Sequence, residues 1–168
     1  MDLFPHHKRF SQSGFTLMET IVAIGVIVVG LVSALTLVNT ALFYVFNIND
    51  RLIATNLAAE GIEVVRNIRD SNWAQGGGIA WNSGLDDGDY QLGYRSTSLR
   101  RYGVTGNPLL IDDSGFYNYV SGSVTPYLRK ISITNLSGYE IRITSTVEWG
   151  RRGVTYTSSA EEHLFNWK

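Results

Sequence analysis

The sequence predicts an α+β protein: a long N-terminal helix, membrane-spanning in its first half and amphipathic in its second, packed on a small antiparallel C-terminal sheet. Three observations carry that prediction. From Thr20 to Asn49 there is no charged residue. From Ile53 to Ile68 apolar residues return with the helical period, and from Leu128 onward they alternate with polar ones. The resulting division is a polar segment 1–14, an apolar helix half 15–49, an amphipathic half 50–73 and a β-rich domain 74–168.

The opening segment reads Met-Asp-Leu-Phe-Pro-His-His-Lys-Arg-Phe-Ser-Gln-Ser-Gly. The run that follows exceeds the roughly 20 apolar residues needed to cross a bilayer core. It is apolar on every side, without the polar gaps of a soluble helix. Lys8 and Arg9 precede it and only Asp50 and Arg51 closely follow it. That asymmetry predicts a cytoplasmic N-terminus, with everything beyond Asn49 outside. A secretory signal has a shorter core, about 7–15 residues, and a small residue after it; here the small residue, Gly14, comes before. A plain anchor explains the length of the run but not Glu19, a carboxylate placed where desolvation is costly.

The residues Gly14-Phe15-Thr16-Leu17-Met18-Glu19 resemble the processing motif of type IV pilins and type II secretion pseudopilins. The similarity covers residues 8–70 and leans toward minor pilins of the pilus-modification kind or pseudopilin I. It implies that residues 1–14 are a leader, cut after Gly14 by a prepilin peptidase that also N-methylates Phe15. It implies an assembly role for Phe15 and Glu19, the new amine of one subunit pairing with Glu19 of its neighbour. Implied partners are other pilin or pseudopilin subunits, the peptidase/N-methyltransferase, an inner-membrane assembly platform and membrane lipid. The chain would wait in the cytoplasmic membrane and end in an extracellular or periplasmic filament. Two features depart from the family. No proline interrupts the apolar half, where Gly25 and Gly30 supply flexibility or close contact instead, and no cysteine can form the C-terminal disulfide of many major pilins.

Past the span, Ile53, Leu57, Gly61, Val64, Val65 and Ile68 fall on one third of the helix, with Arg66, Arg69 and Asp70 among the remainder. Ile62 lies on the polar side, unexplained by that stripe. Asn72 and Gly76-Gly77-Gly78 end the helix. Ile79–Val120 reads as a decorated loop region with short strands at Tyr90–Arg95 and Phe116–Val120. A meander of about three strands follows. Leu128–Thr134 is the first; Tyr139, Ile141, Ile143, Val147 and Trp149 mark one face of the second. A four-residue turn, Gly150–Gly153, leads to a strand holding Val154, Tyr156 and Ala160, closed by a segment ending at Trp167.

No chemistry of the catalytic kind is legible: no nucleophile–base pair, phosphate loop or metal spacing, so neither an enzyme nor a cofactor is expected. Asp86, Asp87 and Asp89 are oxygen-rich, as calcium sites are, but lack the spacing of a calcium loop and equally suit a turn before a strand. His6, His7 and His163 form no ligand set. Asn135-Leu136-Ser137 matches a glycosylation sequon. Tyr117 and Tyr119 suit either adhesion or the core. The formal charge is −1 and, after Trp73, nine basic residues face nine acidic ones; no basic field exists for nucleic acid. The rival to a filament subunit is a single-pass anchored binding module or adhesin that does not polymerise.

Overall fold

A computed structural model describes residues 14–166. The expectations placed on residues 1–13 and on Trp167 lie outside the described residues. One helix, α1, runs Leu17–Gln75. Seven strands follow: β1 Gly88–Gln91, β2 Arg100–Arg101, β3 Pro108–Ile111, β4 Tyr117–Asn118, β5 Ser123–Ser137, β6 Glu140–Arg151 and β7 Val154–Phe165. The fold is the α+β layout read from the sequence.

Two compact units divide the chain after Phe46. In the first, helix side chains are exposed on all sides apart from a half-buried Phe43. Its length and apolarity suffice to cross a membrane and fit a single-pass anchor. Polar residues inside the run do not break it. Ser33, Thr36 and Thr40 donate their hydroxyls to the carbonyls of Val29, Val32 and Thr36 at 2.8–2.9 Å, so their donors are satisfied within the helix.

The second unit wraps a sheet against the amphipathic half of α1. All strand pairs are antiparallel. β5 is the hub: β6 lies along one edge and is itself paired with β7. The other edge is shared, β1 pairing with Ile131–Ile133 and β3 with Ser123–Leu128. β2 extends β1, and β4 extends β3. The region expected to be loops thus holds four strands, of which β2 and β3 were not anticipated. Their stretches are too short to show a period of two; β3 forms on the edge of β5 and β2 on that of β1.

The inner face of the sheet keeps strict alternation. Tyr127, Arg129, Ile131 and Ile133 on β5 are buried, as are Ile141, Ile143, Ser145, Val147 and Trp149 on β6. Tyr139 is 72 % exposed; it sits in the β5–β6 turn and escapes the alternation. Two apolar clusters form against α1. One gathers Ile62, Val65 and Ile68 with Trp81, Leu85, Ile131 and Ile143, and the other Ala54, Leu57 and Ala58 with Tyr127, Val147 and Trp149. Each fully buried large aliphatic contributes roughly 1.5–3 kcal/mol.

Ile62 and Arg69, expected on the polar side, are both buried, at 6 % exposure. The curled sheet covers an arc of about 160° at 100° per residue, wider than the stripe and displaced toward Ile62. Ile53, assigned to the stripe, lies at its margin and is half-buried. Arg69 lays its guanidinium over Trp73, 4.4 Å from the ring centre.

Asn72 does not end the helix. It is buried, and its Nδ2 donates to the carbonyls of Trp81 and Ser83 at 3.1 and 2.9 Å, pinning the chain that leaves α1. The ending belongs to Gly76, whose φ of 60° suits only a residue without Cβ strain. The β6–β7 turn is tighter than expected. Arg151 pairs with Val154, leaving Arg152 and Gly153 as the two turn residues, at φ 50° and 78°. The segment ending at Phe165 is the end of β7 itself.

Candidate functional site

The N-terminal motif is built by helix initiation. Leu17 begins α1 because Thr16 caps it: its Oγ1 accepts the amide of Glu19 at 3.3 Å. Thr20 returns its hydroxyl to the carbonyls of Thr16 and Leu17, both at 3.0 Å. Gly14 precedes the cap in non-helical backbone, and among the described residues beyond its chain neighbours no atom lies within 4 Å of the place a Cβ would take. Phe15 is 82 % exposed. Gly14 and Phe15 are thus both exposed and both ahead of the first helical residue.

Glu19 stands on the first turn of α1, exposed among exposed apolar side chains. Among the described residues it has no ion-pair partner. Phe15 lies four residues before Glu19 and two before Leu17, the first residue of the helix. Placed in lipid, such a carboxylate demands either a proton or a cation from elsewhere.

The acidic cluster does not assemble a cation site. Asp87 Oδ1 accepts both the backbone amide of Asn135 and its Nδ2, the latter at 3.0 Å. Those two donors, the backbone one foremost, hold the Asp87 carboxyl below the ordinary aspartate range. Asp89 Oδ1 accepts the hydroxyl of Ser132 at 2.6 Å, and Lys130 Nζ lies 3.7 Å from Asp89 Oδ2. Asp86 contributes its carbonyl to the Tyr90 hydroxyl. These residues clamp the start of β1 onto β5. Among the described residues no three His, Cys, Asp or Glu side chains are grouped as metal ligands. His163 Nδ1 lies 2.6 Å from Glu140 Oε1 across β6 and β7.

The Asn135 amide is equally committed. Nδ2 donates to Leu85 O and Asp87, and Oδ1 accepts from Asn82. A sugar at that nitrogen would displace the clamp. Tyr117 and Tyr119 are half-buried against the core. Tyr117 meets Tyr127 edge-on, and the Tyr119 hydroxyl donates to Arg129 O at 3.2 Å. Burial pushes the Tyr119 phenol up.

Sequence reasoning missed two features. Arg129 is completely buried, its Nη1 donating to Leu57 O and Glu60 Oε1 at 2.9 Å and its Nη2 to Leu92 O. The only sequence signal was a polar residue in phase with Tyr127 and Ile131. The second is a cleft of about 400 Å³ between Gln91–Ser96 and Asn118–Ser121, with Arg100 and Asp112 in its lining. Its walls come from separate hairpins, so no sequence pattern announces it. Comparison with protein-family models, curated proteins and solved structures finds no match to the chain.

Proposed function

We propose that the chain is the precursor of a minor pilin or pseudopilin, a structural subunit of a type IV pilus-like filament. It is cut after Gly14 and N-methylated on Phe15. The observation that carries this reading is Glu19, an exposed carboxylate with no ion-pair partner among the described residues, four residues from an exposed Phe15. A neighbouring helix shifted along the axis supplies the missing cation as its Phe15 amine. The pair neutralises both charges and fixes the stagger between subunits. The apolar sides of residues 20–42, exposed among the described residues, then bury against one another. Before assembly the same segment holds the protein in the cytoplasmic membrane. There the prepilin peptidase and the assembly platform act on it.

The alternative, an anchored binding module that does not polymerise, draws on the Thr16–Glu19 bond. A threonine followed three residues later by glutamate is a helix-start pattern that needs no partner subunit.

Mass measurement of the mature N-terminus separates the two. The filament reading requires N-methyl-Phe15; a mature protein that retains Met1 leaves only the anchor. Glu19→Ala should leave cleavage normal and abolish incorporation into filaments. Incorporation at the wild-type level would remove the charge pair from the mechanism.

A further inference from the structure

We propose that the cleft between the β1–β2 and β3–β4 hairpins binds an acidic saccharide residue. Its volume, about 400 Å³, falls within the range of small-molecule sites. Gln91 lines it at 3 % exposure, and its Oε1 has no hydrogen-bond partner. An unmet buried amide oxygen is costly, and with Gln91 almost wholly covered a rotation of its side chain is needed to bring the amide group to a ligand in the cleft.

The cationic groups point to an anion. Arg95 lies over Tyr94, 5.2 Å from the ring centre, and Tyr94 stacks on Phe116 at 4.7 Å and 13°. That stack braces one guanidinium at the mouth of the cleft. Arg100 provides a second. Among the described residues neither has a carboxylate partner. Planar guanidinium donors match a carboxylate in two-point fashion.

The remaining lining selects a polyol. Asp112 Oδ1 is occupied by the amides of Ser114 and Phe116, leaving Oδ2 to accept a hydroxyl. Val120, exposed at the cleft, offers apolar surface to the C–H face of a ring. An acidic peptide brings carboxylates but few hydroxyls for Asp112 Oδ2. Inorganic phosphate has no use for the apolar wall. A neutral sugar leaves both arginines unmatched.

The test uses the full chain in a sugar-free detergent, titrated calorimetrically with galacturonic acid and N-acetylneuraminic acid. Galactose, hexaglutamate and inorganic phosphate run alongside. Binding of an acidic sugar is expected, with affinity falling roughly tenfold or more in Arg95→Gln and in Arg100→Gln. Both variants lie on exposed side chains and should keep the wild-type circular dichroism. Three results overturn the proposal: no binding of either acidic sugar, equal binding of galactose, or tighter binding of hexaglutamate or phosphate. Affinity unchanged in both variants would equally remove it. The outcome does not depend on cleavage at Gly14 or on polymerisation.

Discussion

Gly61 of α1 approaches Ser145 of β6 so closely that a Cβ at residue 61 would stand 2.6 Å from Ser145 Oγ. It would also meet Ile131 Cδ1 at 2.7 Å and Arg129 Cδ at 3.3 Å. Gly61, Arg129 and Ser145 fall between the residues of the two apolar clusters on their respective elements. The helix therefore approaches the sheet closely at a polar waist. Glycine is the residue that allows it.

Gly61→Ala should destabilise the domain by about 1–3 kcal/mol, because overpacking outweighs the better helix propensity of alanine. Ser145 Oγ is itself buried without a partner, so Ser145→Ala should be neutral or slightly stabilising. In the double variant the two effects should fail to add, by about 0.5 kcal/mol or more. Urea unfolding of the four proteins measures the coupling, and strict additivity would show that the two sites do not press on each other.

Arg129 ties three acceptors from two parts of the chain, Leu57 and Glu60 on α1 and Leu92 just after β1. A lysine ammonium cannot reach the same fork. Arg129→Lys should cost about 1.5–3 kcal/mol, and Glu60→Gln less, since Glu60 is half-exposed and its neutral amide can still accept. Melting temperatures should fall in that order.

Tyr127 gives stability an alkaline limit. Burial, with Asp50 beside its hydroxyl at 3.4 Å, pushes its pKa from 10.0 up to about 12. The folded state then holds its proton where the unfolded chain has lost it. The contribution is complete below pH 10 and disappears as pH rises from 10 toward 12. Tyr127→Phe should flatten part of that decline. Thermal unfolding between pH 8 and 12, by about one unit per step, tests it.

The Asp87–Asn135 clamp acts at the acid end. Asp87 is held below its ordinary 3.8, so its contribution is present above that value and is lost as pH falls through the folded one. Asn135→Ala removes the side-chain donor and keeps the backbone one. The Asp87 carboxyl should titrate closer to 3.8, readable from its carboxyl carbon resonance, and β1 amides should lose exchange protection. An unmoved titration would locate the whole effect in the backbone bond.

Parts of this structure were legible because their cause is local. The charge-free run from Thr20 to Asn49 dictates an apolar helix whatever surrounds it. The Gly76-Gly77-Gly78 run stops its amphipathic continuation. Alternation along Ile141–Trp149 fixes which side chains face inward. Of the candidate sites, Gly14, Phe15 and Glu19 were legible as neighbours in sequence, whereas the cleft was not, since Gln91 and Asn118 meet only when two hairpins share the edge of β5. Ile62 and Arg69 were misassigned because a helical stripe predicts the centre of a buried face better than its width.

By itself the sequence determined the apolar helix, its amphipathic continuation, the phase of β5 and β6, and the motif around Glu19. Each depends on residues within a few positions of one another. Tertiary structure alone decided that Arg129 is buried, that Asp87 serves Asn135 instead of a cation, and that Gln91 faces a cleft. Those outcomes rest on hydrogen bonds and burial between distant segments. A polar side chain takes its meaning from the partner the fold brings to it.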